Sequence, residues 1–94
     1  MSLARDAAET LALRVLAWLV AEDDLLPVFL GSTGASESDL RASANDPAFL
    51  GAVLDFILMD DAWVIRAADA IGVPADRLAA ARGALPGGDQ VHWT

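Results

Sequence analysis

Apolar side chains recur along this chain at the three- and four-residue spacing of a helix that buries one face. Phe49, Leu50, Val53, Leu54, Ile57 and Leu58 form one such stripe, with Asp55 at a polar position among them. Leu11, Leu13, Val15, Leu16, Trp18, Leu19 and Val20 form another. They cover nearly the whole circumference, so the helix that holds them is expected to be central.

Turn and cap residues divide the chain into six short helices. Asp6 with Glu9 three positions on has the form of a capping box, starting a first helix near Ala7 that runs to about Ala21. Glu22-Asp23-Asp24 is expected to cap a second helix, about Asp24 to Ser32, with Pro27 in its first turn, where amides lack intrahelical partners. Ser36 and Asp39 cap a third, about Glu37 to Ala44. Asp46-Pro47, an acceptor followed by proline at the first helical position, opens a fourth that runs to about Met59. Asp60-Asp61 opens a fifth and Gly72 closes it. Pro74 opens a sixth that ends near Leu85, and residues 86–94, which include His92 and Trp93, read as a mobile tail.

The order of these signals repeats. Leu11–Ala44 lies over Phe49–Arg82 without a gap at an offset of 38 residues, with Val15/Val53, Leu16/Leu54, Asp23/Asp61, Gly34/Gly72, Leu40/Leu78 and Ala42/Ala80 identical. Trp18 meets Phe56 and Leu26 meets Val64. The expected architecture is all-α, a single domain over 1–94. It is built of two tandem three-helix units, about 7–45 and 46–85, around one core. Gly34 and Gly72 should sit just past helix ends in the left-handed region.

Composition supports the helical reading and narrows the function classes. Twenty of the residues are alanine, which favours helix. Fourteen acidic residues against six arginines, with no lysine, give a net charge of −8. That field repels polyanions, so neither nucleic acid nor an anionic membrane surface is an expected partner. There is no cysteine, hence no disulfide or thiolate chemistry. The first ten residues do not read as a signal peptide, and no apolar run approaches the length of a membrane span. A cytoplasmic, bacterial protein is expected.

Ser38-Asp39-Leu40-Arg41, Asp46-Pro47-Ala48-Phe49-Leu50, Val53-Leu54-Asp55-Phe56, and Gly72 before Pro74 together resemble a small bacterial family. It is termed domain of unknown function 3572 and is found mainly in alphaproteobacteria. The resemblance covers about Ala7–Pro86. It implies a compact helical protein and supplies no site residues.

No catalytic or cofactor motif appears, and the chain is expected not to be an enzyme. Ser32, Ser36, Ser38 and Ser43 lack a nucleophile elbow, and His92 has no orienting neighbour in sequence. Gly31 and Thr33-Gly34 lack the spacing and the lysine of a phosphate loop. The acidic clusters Glu22-Asp23-Asp24 and Asp60-Asp61 lack calcium-loop spacing and fall where helices need caps, so no metal and no cofactor are expected.

Residues 68–82 have the spacing of a helix-turn-helix, but Ala75, Asp76, Arg77, Ala79, Ala80 and Ala81 would read bases poorly. A divergent DNA-binding regulator using this segment is the alternative reading. The preferred one is a non-catalytic protein–protein interaction module, with a protein partner or a second copy of itself. An inward face of Leu26, Phe29, Leu30 and Thr33 on the second helix, and of Val64, Ala67, Ala68 and Ile71 on the fifth, turns other apolar residues elsewhere. Leu25, Val28, Trp63 and Ile65 are therefore the interaction candidates. A basic face would favour DNA; an exposed apolar patch rimmed by polar residues would favour a protein partner.

Overall fold

The computed structural model describes residues 4–85. They form α1 (Arg5–Ala21), α2 (Leu26–Thr33), α3 (Glu37–Ser43), α4 (Pro47–Leu58), α5 (Asp61–Ile71) and α6 (Asp76–Gly83), an all-α single domain without a strand among the described residues. The tail proposed at 86–94 lies outside them.

Several helix ends form as the local chemistry dictates. At α3, Ser36 Oγ accepts the Asp39 amide and the Asp39 carboxylate accepts the Ser36 amide, a reciprocal capping box. Asp46 accepts the Ala48 amide at 3.0 Å with Pro47 in the first turn, and Asp60 accepts the Ala62 amide at 2.8 Å. Gly34 and Gly72 close α2 and α5 with φ of +76° and +78°, their amides donating to the Leu30 and Ala68 carbonyls. A Cβ at either glycine would meet nothing within 4 Å, so the backbone conformation alone requires glycine there. Gly72→Ala is expected to cost about 1–2 kcal/mol, read as a lower urea midpoint. A midpoint equal to wild type would overturn this.

Other ends differ from the sequence reading. The helix α1 begins at Arg5, so Asp6 lies inside its first turn and Glu9 pairs with Arg5 at 3.2 Å instead of closing a capping box. The acidic cluster does not cap α2. Leu25 occupies the cap position without a side-chain hydrogen bond, and the carboxylates of Glu22 and Asp24 are drawn to Arg66 on α5. Pro74 precedes rather than opens α6: Arg77 and Leu78 donate to the Pro74 and Ala75 carbonyls in a tighter three-residue turn before the helix proper.

The core is organised around α1. Its backbone packs closely on α4, α5 and α6, which also pack on one another, and these four helices bury Val15, Leu19, Val53, Leu54, Ile57, Ala67, Leu78 and Ala81. By contrast α2 approaches only α1 closely, and it is held by Phe29, whose ring meets Phe49 and Phe56 edge-on at 6.1 and 5.2 Å. The short α3 is pinned through the buried Leu40.

Positions repeated in sequence share environments: Val15 and Val53, Leu16 and Leu54, and Leu40 and Leu78 are all buried. The packing does not follow two equivalent units. In the second half α6 packs on α4, whereas its counterpart α3 makes no comparable approach to α1. The central helix also buries less than expected. Ala8, Leu11, Ala12, Val15, Leu16 and Leu19 face inward, and Leu13 and Val20 stand outside at 43% and 45% exposure.

Candidate interaction surface

Of the four residues singled out from sequence, Leu25 is buried at 3% exposure, which removes it as a surface candidate. It lies one turn before Phe29, whose amide donates to the Leu25 carbonyl, and so it shares the core face of α2. The inward face is therefore centred on Leu25 and Phe29, with Leu26 and Leu30 half-buried at its edge and Thr33 exposed. Val28 and Ile65 are exposed, at 47% and 62%. Trp63 is half-buried and stacks on the Phe56 ring at 4.8 Å between centroids with 24° between planes. The inward face read for α5 holds: Ala67 and Ala68 are buried, Val64 and Ile71 half-buried.

A second apolar surface went unread in the sequence. A groove of about 370 Å³ runs between α1 and α3, lined by Leu13, Leu16, Ala17 and Val20 on one side and Leu40 and Ala44 on the other. Glu37 and Arg41, one turn apart on α3, stand at its rim. Neither side chain has an ion pair or side-chain hydrogen bond among the described residues. Leu13, Ala17 and Val20 recur at four- and three-residue spacing, which places them in one line along the outer face of α1. The sequence did contain the clue. Apolar residues all around a helix cannot all be buried when the helix has an outer side, and Leu13 and Val20 lie opposite the buried Val15 and Leu19. The groove adjoins a more polar depression that shares Leu13 and Ala44 and adds Asp6, Glu9, Thr10, Asn45 and Leu50.

Arg66 organises the opposite end of α1. Its guanidinium donates to Glu22 and takes both Asp24 oxygens at 3.1 and 3.2 Å, and it lies 5.7 Å from the centre of the Trp18 ring. One side chain thus ties α5 to the α1–α2 corner through charge-assisted bonds and a cation–π contact. The hydrogen bond from Arg66 holds the Asp24 carboxyl below its ordinary value, with partial desolvation opposing it. A depressed folded-state value means that the contribution is present above the unfolded pKa of about 4 and is lost as pH falls through the folded one. Asp24→Asn should therefore melt below wild type at pH ~7, with the gap closing by pH ~2. A gap that persists in acid would show that Asp24 acts by some other means.

Elsewhere the polar groups serve the fold. Arg14 donates to the Ile71 carbonyl, placing a cation on the carboxyl end of α5, where the helix dipole favours it. Arg82 forms a two-pronged pair with Asp55 on α4 at 2.6 and 2.9 Å. The corner between α5 and α6 leaves Asp76, Arg77 and Ala79 exposed on α6, so its outer face carries one acid beside one base. Among the described residues no group of three or more acidic or histidine side chains is placed to hold a metal ion, and no helix is long and apolar enough to cross a membrane.

No curated protein and no solved structure matches the chain. A family model described as "Protein of unknown function (DUF3572)" matches residues 5–88, which takes in every one of the six helices and both left-handed glycine corners. The chain belongs to that family.

Proposed function

We propose that this protein is a non-catalytic interaction module that docks another polypeptide along the groove between α1 and α3. The observation that carries this reading is the apolar line Leu13, Ala17 and Val20 on an outer helix face, rimmed by the uncommitted charges of Glu37 and Arg41. Full burial of a large aliphatic side chain is worth about 1.5–3 kcal/mol, and a partner would recover the share still exposed at Leu13 and Val20, a little under half of each. An apolar patch with a polar rim is the usual form of a protein-binding surface. The net charge of −8 favours a protein partner over a polyanion.

The experiment is affinity capture of the tagged protein from its native cell, with wild type and Leu13→Asp/Val20→Asp compared by mass spectrometry. Polypeptides retained by wild type and lost with the double variant support the reading. An identical set of captured proteins would overturn it, because both substitutions lie at the groove and at positions whose exposure leaves the core intact.

A further inference from the structure

We infer that the occupant of the α1–α3 groove is a second copy of this chain, in a two-fold dimer with its two α1 helices antiparallel; the inference rests on the docking reading above. Two features of the groove are self-complementary. The line along α1 is large–small–large: Leu13, Ala17, Val20. A two-fold axis lying between the two α1 helices, perpendicular to them and beside Ala17, sets Leu13 opposite Val20 of the second copy, and Val20 opposite its Leu13. The small side chain at the axis lets the two helices approach closely, since methyl groups rather than branched chains meet there.

The rim has the same property. Glu37 and Arg41 sit one turn apart on α3, both line the groove, and neither is paired within its own chain among the described residues. The proposed dimer also sets α3 against its own copy, with the midpoint of Glu37 and Arg41 on the same axis. Glu37 then faces Arg41 of the second copy, and Arg41 faces its Glu37, forming two reciprocal ion pairs. In an isologous interface every contact occurs twice in this way, so a self-complementary set of unsatisfied groups is what such an interface needs. Arg41 has few rivals as the partner of these acids. The chain has only six cations, and Arg5, Arg14, Arg66 and Arg82 are already engaged.

Two copies each carrying −8 repel at long range. That repulsion is screened beyond about 8 Å at physiological ionic strength, so the apolar line and the paired rim charges govern the contact itself. The dimer is expected to be weak and concentration-dependent, with an apolar centre of six side chains and no aromatic anchor.

Sedimentation equilibrium on the full chain, from about 1 µM to 1 mM, reads the association directly. The wild type should move from the 9.8 kDa monomer toward twice that mass. Leu13→Asp should weaken the dimer by roughly tenfold or more, with its helical circular dichroism unchanged. Glu37→Arg and Arg41→Glu should each weaken it several-fold, and the Glu37→Arg/Arg41→Glu double variant should return to within about twofold of wild type, since the swap rebuilds both pairs. Rescue by the swap is a result that a one-sided or unrelated contact would not give.

A wild type that stays monomeric at about 1 mM overturns the dimer, as does association that Leu13→Asp leaves unchanged. If the wild type is monomeric while capture from cells still depends on Leu13 and Val20, the docking reading stands and only the second copy is excluded. If neither association nor capture responds to Leu13→Asp, both fall.

Discussion

Phe29→Ala is expected to cost about 3–5 kcal/mol, a large share of the roughly 5–15 kcal/mol that holds a domain of this kind together. Phe29 is the only fully buried side chain within α2, and its ring meets two other rings edge-on. Truncation removes those aromatic contacts, each worth about 0.5–1.5 kcal/mol beyond area, and leaves a cavity between α2 and α4. The backbone of α2 approaches only α1 closely, so nothing else holds this helix as firmly. Two effects should therefore appear together. The thermal midpoint should fall by more than about 12 °C, and amide exchange should accelerate in α2 before it does so in α4, α5 or α6. A midpoint within about 5 °C of wild type, with unchanged exchange in α2, would show that α2 is held by something other than Phe29.

The same residue shows where sequence reasoning reached and where it stopped. The sequence places Phe29 inward, and the structure buries it fully. The companion that completes its face is Leu25 rather than Thr33: Leu25 lies one turn before Phe29, and Thr33, the last residue of α2, is exposed. The start of α2 at Leu26 rather than Asp24 could not be read locally. Glu22 and Asp24 are good acceptors for free helix amides, and nothing adjacent shows that Arg66, more than forty positions away, takes their carboxylates instead. Where the satisfying partner is a near neighbour, the reading succeeds: Ser36 with Asp39, Asp46 with Ala48, Asp60 with Ala62, and the left-handed Gly34 and Gly72. Those caps and corners are settled within four residues, whereas Asp6 and Glu9 show that a local signal can also lose, here to the Arg5–Glu9 ion pair.

Packing partners are decided at long range. A helix pattern shows which face turns inward and not which helix it meets. The six helix signals are legible in the sequence, but the repeat read from them does not convey that α4, α5 and α6 all close on α1 while α2 and α3 remain peripheral. The candidate surface was missed for a related reason. Treating the whole circumference of the first helix as buried left no role for an outer face, and Leu13 and Val20 occupy that face. Their exposure goes with the sparse approach of α3 to α1, which buries Leu40 and leaves a groove between the two helices.

Alanine shows the limit most sharply, and it yields the second large effect. Ala67 and Ala70 are three positions apart on α5 and chemically identical, yet Ala67 has no exposure and Ala70 faces solvent. Composition treats them alike; only the stripe of Val64, Ala67, Ala68 and Ile71 separates them. At Ala67 the small side chain is what allows α5 to lie against α1 and α4, since this helix brings no large, fully buried residue of its own to that contact. Leucine there must place three further carbons where no space is left, forcing off-rotamer side chains or a shift of the helix axis. The expected cost of Ala67→Leu is about 1–3 kcal/mol or more. Ala70→Leu adds the same carbons to the outer face of the same helix, where leucine is nearly as good a helix former as alanine, and should change stability by no more than about 0.5 kcal/mol. Urea unfolding of the pair separates packing from propensity, because both variants alter propensity equally. Equal midpoints for the two would mean that α5 can move away from α1 and α4 at little cost, and that the four-helix core is looser than its complete exclusion of water from Ala67 implies.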